Sequence, residues 1–277
     1  LGLAECRLGP SSLGKLAEYV RDVEAALTSI NCLANKFGDD DLATLLTAIK
    51  GTSIRSLCGL TEGQAIADFS GQNLGPIDMK IMAAEYGFQG FIAAVASLRC
   101  GNNPCMVGEL DEYGRLKTPD AHADVFKELT DSLKTSQVTQ ADFSSCGIGP
   151  VALGHLGEWV REATAALNEV NVAFNKIGSE GGIALRDALK TSNLKFLTIG
   201  KMYTSAGGAV ITGSQVTTGV TLSTGGRLGE LIEFKGPHSD FEVTLKWSDT
   251  GEENRYMKLH SLDGEPLKLP LQSPFEG

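Results

Sequence analysis

Leu27-Thr-Ser-Ile-Asn-Cys-Leu-Ala-Asn-Lys-Phe-Gly38 and Leu167-Asn-Glu-Val-Asn-Val-Ala-Phe-Asn-Lys-Ile-Gly178 carry one pattern twice, at an offset of 140 residues (27 to 167). The correspondence runs without a gap across 1–60 and 141–200, so that Leu1-Gly-Leu-Ala-Glu-Cys-Arg-Leu-Gly-Pro10 aligns with Ala141-Asp-Phe-Ser-Ser-Cys-Gly-Ile-Gly-Pro150. A repeat of this kind reduces the fold to one supersecondary unit stacked on its neighbours, each burying the face that the last leaves bare. It also favours binding over catalysis, because stacked units build long surfaces rather than closed clefts.

The unit reads LxxLxLxxNxLG, on Leu27, Ile30, Cys32, Asn35, Phe37 and Gly38, and again on Leu167, Val170, Val172, Asn175, Ile177 and Gly178. A third copy holds Val95, Leu98, Cys100 and Asn103, with Pro104 and Cys105 behind it. Shortened copies start at Leu1, Ala67 and Ala141, with Cys6, Gln72 and Cys146 at the Asn position and Leu8, Leu74 and Ile148 two residues on. The period-2 apolar pair, such as Ile30 and Cys32, points one way from a short strand into a core. A glycine after the last apolar residue lets the chain bend.

These residues resemble the leucine-rich repeat family, whose signature admits Asn or Cys at that position. The resemblance implies that the amides of Asn35, Asn103 and Asn175 satisfy backbone groups of the adjacent turn, and that Cys6 and Cys146 fill the same buried space. Each strand is followed by a helical stretch. In 11–26, Leu13, Leu16, Tyr19, Val20 and Val23 recur at three- and four-residue steps, and 151–167 repeats this with Leu153, Leu156, Trp159 and Val160. Pro10 and Pro150 stand where a proline is tolerated at a helix start. Shorter helices are expected over 39–49, 76–86, 119–133 and 179–189. At about 29 residues per unit, strand plus helix is similar to the ribonuclease-inhibitor-like branch, which implies a right-handed α/β solenoid over 1–202 with a parallel sheet on its concave side and helices on its convex side.

Two places break the period. Cys100 to Phe143 is roughly half a repeat longer than the longest unit of this type, which places an insertion near 105–118, read as a surface loop. From Leu57 to Ala67 the chain is too short for a helical crossover between parallel strands. Either one of these is not a ladder strand, or the solenoid is interrupted there.

The pattern stops near Gly200. The stretch 203–225 is rich in Gly, Ser and Thr and reads as a capping strand pair or a linker. From Arg227 the alternation has period 2 between turn signals at 236–240 and 249–251, which predicts short antiparallel strands with Phe241, Val243, Leu245 and Trp247 on one face. The segment 226–264 resembles a small Src-homology-3-like or Tudor-like barrel, of a kind found beside leucine-rich repeats in unicellular algae. An extended tail is expected over 265–277.

The net charge of −10 argues against nucleic acid as a main partner and suits a basic one. No apolar run approaches the length of a membrane span. No Asn-x-Ser/Thr acceptor occurs, and four of the six cysteines sit in repeat core or Asn-equivalent positions, so the chain reads as intracellular (cytoplasm or an organelle, a plastid included) with reduced thiols. Leu1 begins a repeat with no cap before it, which reads as a start inside a longer protein. Gly9-Pro-Ser-Ser-Leu-Gly14-Lys15 lacks the Ser or Thr of a phosphate loop, and the repeat accounts for both glycines. His122, His155, His238 and His260 show no metal or triad spacing, and His155 reads as solvated. Asp39-Asp40-Asp41 reads as a helix cap. No cofactor, metal, small-molecule substrate or catalytic constellation is expected.

In the resembling family the residue between the two apolar strand positions faces the concave surface. Here that row is Gly2, Asn31, Asp68, Arg99, Asp142, Asn171 and Thr198. Phe196 reads as an exposed anchor or as core. Phe234, Trp247 and Tyr256 suit either an aromatic cage or the barrel's own core. Tyr113 in the insertion is a further contact candidate. The expectation is a non-enzymatic scaffold or accessory subunit of a larger complex, for which the algal resemblance suggests a plastid photosynthetic supercomplex. The alternative is an adaptor that reads peptides through the barrel.

Overall fold

A computed structural model describes residues 1–22, 27–164, 167–204, 210–212, 218–235 and 242–270. Val23, Phe241, the 236–240 turn and the end of the tail from 271 lie outside them. Among the described residues the helices are α1 (Pro10–Asp22), α2 (Asp39–Ala48), α3 (Pro76–Gly87), α4 (Ala123–Leu133), α5 (Pro150–Glu162) and α6 (Gly178–Leu189). The strands β1 (Ile66–Asp68), β2 (Ser97–Arg99), β5 (Gln140–Asp142), β6 (Glu169–Asn171) and β7 (Phe196–Thr204) pair in that order, all parallel. The protein is therefore α/β, with a parallel sheet joined by helical crossovers.

The core lies between these strands and the helices. Ala67, Leu98, Ala141, Val170 and Leu197 occupy one register position and are all buried. Behind them Phe126, Phe143 and Trp159 stack edge to face at 5.3 and 6.4 Å, an arrangement that suits the ring quadrupoles. Neighbouring helices pack on each other, α3 on α4, α4 on α5 and α5 on α6. Lys80 Nζ joins α3 to Asp39 of α2 at 2.8 Å.

Three of the turns are each built on one buried asparagine. Asn175 Nδ2 donates to the carbonyls of Phe143, Val172 and Ala173, and Oδ1 accepts from the amides of Cys146 and Ile148. Asn103 does the same for Phe69, Cys100, Gly101 and Leu74, and Asn35 for Leu3, Cys32, Leu33 and Leu8. Cys146 stands at this position fully buried, with its thiol on the Cys100 carbonyl at 3.1 Å. Cys6 departs from expectation: it is exposed, as no described unit covers the outer face of the first copy. Tyr19 shows the same effect, 53% exposed where its counterpart Trp159 is at 0%.

The residue before each Asn, Cys or Gln is left-handed. Glu5, Ala34, Gly71, Asn102, Ser145 and Phe174 all have φ between 50° and 65°. The shortened copies add a second such residue just after, at Arg7, Asn73 and Gly147. Gly adopts this backbone freely and Asn tolerates it, so the tertiary bonds of the turn hold the others there.

The ladder is interrupted where the chain is too short for a crossover. Leu1–Leu3, Thr28–Cys32 and Ser56–Cys58 are linked by isolated bridges (Gly2 to Asn31, Ser29 to Ser56, Asn31 to Cys58), and among the described residues no pairing joins Ser56–Cys58 to β1. Glu85 of α3 fills the gap. Its fully buried carboxylate accepts from the amides of Leu57 (2.8 Å), Cys58 (3.1 Å) and Ile92 (3.2 Å) and from the Ser56 hydroxyl. A side chain thus satisfies amides that a neighbouring strand would otherwise have bonded.

The insertion is an ordered hairpin rather than a plain loop. Strands β3 (Glu109–Leu110) and β4 (Leu116–Thr118) pair antiparallel, and Leu116 of β4 and the preceding Met106 and Val107 are buried. At the end of the parallel sheet, β8 (Val210–Thr212) and β13 (Glu265–Pro270) both pair antiparallel with β7. The tail therefore begins as a strand. A separate sheet holds β9 (Thr221–Thr224), β10 (Arg227–Phe234), β11 (Glu242–Trp247) and β12 (Glu253–Lys258) in the order β12-β11-β10-β9. Among the described residues it is open, not the closed barrel expected. The next strand in the chain, β13, is taken up by β7, and four short strands do not close on themselves.

Candidate functional site

Strand register brings the expected row together. Asp68, Arg99, Asp142, Asn171 and Thr198 are direct partners across β1, β2, β5, β6 and β7. Gly2 and Asn31 are paired through an isolated bridge beyond the interruption. Much of the row's polarity is spent on the turns. Asn31, Asp68, Asp142 and Asn171 each accept, through Oδ1, the amide two residues on (Leu33, Ser70, Ser144 and Ala173), the Asx turn that short polar side chains make. Asp68 is also 3.6 Å from Arg99. Partial burial raises the Asp68 carboxyl, but the Ser70 bonds and then the Arg99 charge outweigh it and hold it below the usual range. Thr198 is only 4% exposed, so the open part of the row ends before it. Phe196, paired with Glu169, is exposed rather than core.

A second surface unites residues far apart in sequence. Tyr113 at the hairpin tip and Tyr256 on β12 are 73% and 57% exposed, and the Arg115 guanidinium lies 5.5 and 5.7 Å from their rings. Asp111 stiffens the tip, its Oδ1 accepting from the amides of Tyr113 and Arg115 at 2.9 Å. Arg115 Nε donates to Glu242 Oε1 at 3.2 Å, and Lys258 Nζ stands 3.6 Å from the same oxygen. Glu242 is almost wholly buried, and its Oε2 has no hydrogen-bond partner. Lys235 Nζ is 5.3 Å from the other neighbour of this cluster, the Tyr256 ring. Tyr256 reaches this place through a bulge in β12, where its φ is 62°. A tyrosine in that region is strained, and bulges of this kind re-aim a side chain.

Sequence reading found Tyr113 and Tyr256 but not what unites them. Arg115, Lys235 and Glu242 carry no signal of their own. The one usable hint was the Asp-Glu-Tyr-Gly-Arg string, a tight turn flanked by charges.

Phe234, Trp247 and Tyr256 do not form a cage. Trp247 belongs to the sheet's core with Leu222, Leu231, Val243 and Leu245, and Phe234 packs against it. Arg227 lies over the Trp247 ring at 4.3 Å and pairs with Asp249 through two 2.8 Å bonds. His155, expected in solvent, has a buried Nδ1 without a partner. Asp41 caps α2 by accepting the Gly38 amide, as the acidic run suggested.

Two further carboxylates are buried, and among the described residues neither has a salt-bridge partner. Asp78 accepts from the amides of Gly75 and Ala34, both at 2.8 Å, and burial, only partly offset by those bonds, pushes it up to about 6. Burial likewise raises Glu85. Both tie α3 to the first units of the chain. Buried Cys32 and Cys58 lie near them, and burial, reinforced by these carboxylates, raises both thiols, which suits inert packing. All six cysteines are free.

Among the described residues no group of three or more His, Cys, Asp or Glu is placed to hold a metal, and no helix is long and apolar enough to cross a membrane. Comparison with known proteins finds no family model and no curated protein that matches the chain.

Proposed function

We propose that the protein is a non-enzymatic interaction scaffold or accessory subunit, built as a leucine-rich repeat solenoid of the ribonuclease-inhibitor-like type with an appended Src-homology-3-like module. The carrying observation is the register that lines Asp68, Arg99, Asp142 and Asn171 across four neighbouring strands. The buried asparagine turns support the repeat assignment. A row of short polar side chains on adjacent strands offers a broad, shallow face suited to another protein. Its setting in a plastid photosynthetic supercomplex rests on the algal resemblance alone.

Crosslinking of the native protein, with mass spectrometry of the products, tests this. Crosslinks from the 68–171 row or the Tyr113 tip to stoichiometric partners are expected. A turnover activity lost on changing one buried polar residue would sink the proposal. The peptide-reading alternative is favoured by one feature, the exposed Tyr256 on β12, and predicts crosslinks confined to β9–β12 with many substoichiometric peptides.

A further inference from the structure

The surface around Arg115 has the chemistry of a receptor for carboxylates. Arg115 uses only Nε on Glu242; its two terminal nitrogens make no hydrogen bond among the described residues, and the side chain is 38% exposed. A guanidinium left in this state presents a planar fork that a carboxylate fits two-pronged. Lys258 and Lys235 stand at the same corner, Lys258 sharing the Glu242 oxygen and Lys235 beside Tyr256. Lys235 is 3.5 Å from Glu233 and Lys258 is 3.6 Å from Glu242, so it is the terminal nitrogens of Arg115 that this corner offers to an anion. Exposed tyrosines on either side of an arginine are also the composition of binding hot spots.

A cavity opens next to it. About 190 Å³ of an open cleft is lined in part by Gly114 and Leu116, which flank Arg115, together with Lys258, Phe174, Pro104 and Ser145. Phe174, Leu116 and Pro104 make part of the wall apolar. The buried Ser145 hydroxyl has no partner. The space suits one aliphatic side chain, with a hydroxyl available to an amide or carbonyl of the chain that carries it.

We infer that this corner binds an acidic peptide segment of a partner protein, a carboxylate on the Arg115 fork and the adjoining aliphatic side chain in the cavity beneath Lys258. The inference deepens the scaffold reading and rests on it. It assigns the contact to a short linear segment, and it gives the hairpin insertion a role: the hairpin carries Arg115 and Tyr113 to β12.

The test is fluorescence anisotropy on the full chain. The probe is a fluorescein-labelled pool of short peptides alternating Asp or Glu with Leu, Ile or Val, compared with a pool carrying Asn and Gln instead. The acidic pool should bind, more weakly as salt rises, and the amide pool should not. Arg115→Lys keeps the charge but loses the fork, and should weaken binding about tenfold. Tyr113→Ala, at an exposed tip, should weaken it by a smaller factor. Arg186→Gln on α6 should change nothing, and unchanged melting temperatures show that each variant is folded. Equal binding of the two pools, no binding of either, or equal loss in Arg115→Lys and Arg186→Gln would each overturn the inference. Partner crosslinks from the 68–171 row that persist in Tyr113→Ala would leave the scaffold reading standing without this site.

Discussion

Asn175 serves five backbone groups from one buried amide, three carbonyls through Nδ2 and two amides through Oδ1. Truncation loses these five bonds, at roughly 0.5 to 1 kcal/mol each once the freed groups partly find other partners. Asn175→Ala should therefore destabilise by about 3 kcal/mol, read from the urea midpoint. Asp78 acts through charge. Its folded value, about 6, lies above that of an unfolded Asp, near 3.9, so the folded state holds the proton more tightly. Its contribution is most favourable below the unfolded value, declines as pH rises through about 4 to 6, and is level above. The full swing is on the order of 3 kcal/mol, and Glu85, also raised, acts in the same direction. Urea titrations at acid and neutral pH should show Asp78→Asn losing less stability than the native chain as pH rises. An equal or greater loss would refute this account.

At the scale of elements, the insertion is held by close backbone approach. A side chain at Gly147 would meet the Gly108 amide nitrogen and the Pro104 carbonyl at 2.5 Å, at a φ of 78° that L residues resist. Gly147→Ala should cost roughly 3 kcal/mol and loosen the β3–β4 hairpin, seen as a lower melting temperature and faster amide exchange near Met106 and Val107. The helices were legible because their apolar faces repeat every three or four residues, and α2 and α3 begin close to the expected points. The hairpin was not legible, since strands of two and three residues carry too little alternation to register. The open sheet was missed for a different reason: nothing in Glu265–Pro270 says which of two sheets it will join.

Across the whole molecule, the interruption before β1 divides the ladder. Along β1, β2, β5, β6 and β7 each strand pairs with the next, whereas Leu1–Cys58 is held by isolated bridges, apolar packing, the Glu85 carboxylate, Asp78 and a surface ion pair. Parts of a fold joined by fewer bonds open at lower free energy than the sheet they border. Native-state hydrogen exchange should show residues 1–60 opening at a lower free energy than β1 to β7. Glu85→Ala, which strips the acceptor from three buried amides, should widen that difference by about 3 kcal/mol. Uniform protection across the break would mean that Glu85 restores full cooperativity.

The sequence alone determined the repeat and the helical crossovers, because periodicity is a local property repeated many times, and the family resemblance implied the asparagine positions and the row from Asp68 to Asn171. Tertiary structure alone decided the rest. It placed Glu85 in the gap of the ladder, gave β13 to β7, and set Tyr113 and Arg115 against Tyr256 and Glu242. Each of those is a single long-range contact between residues whose neighbours in sequence carry no trace of it, and only the folded chain brings them within reach.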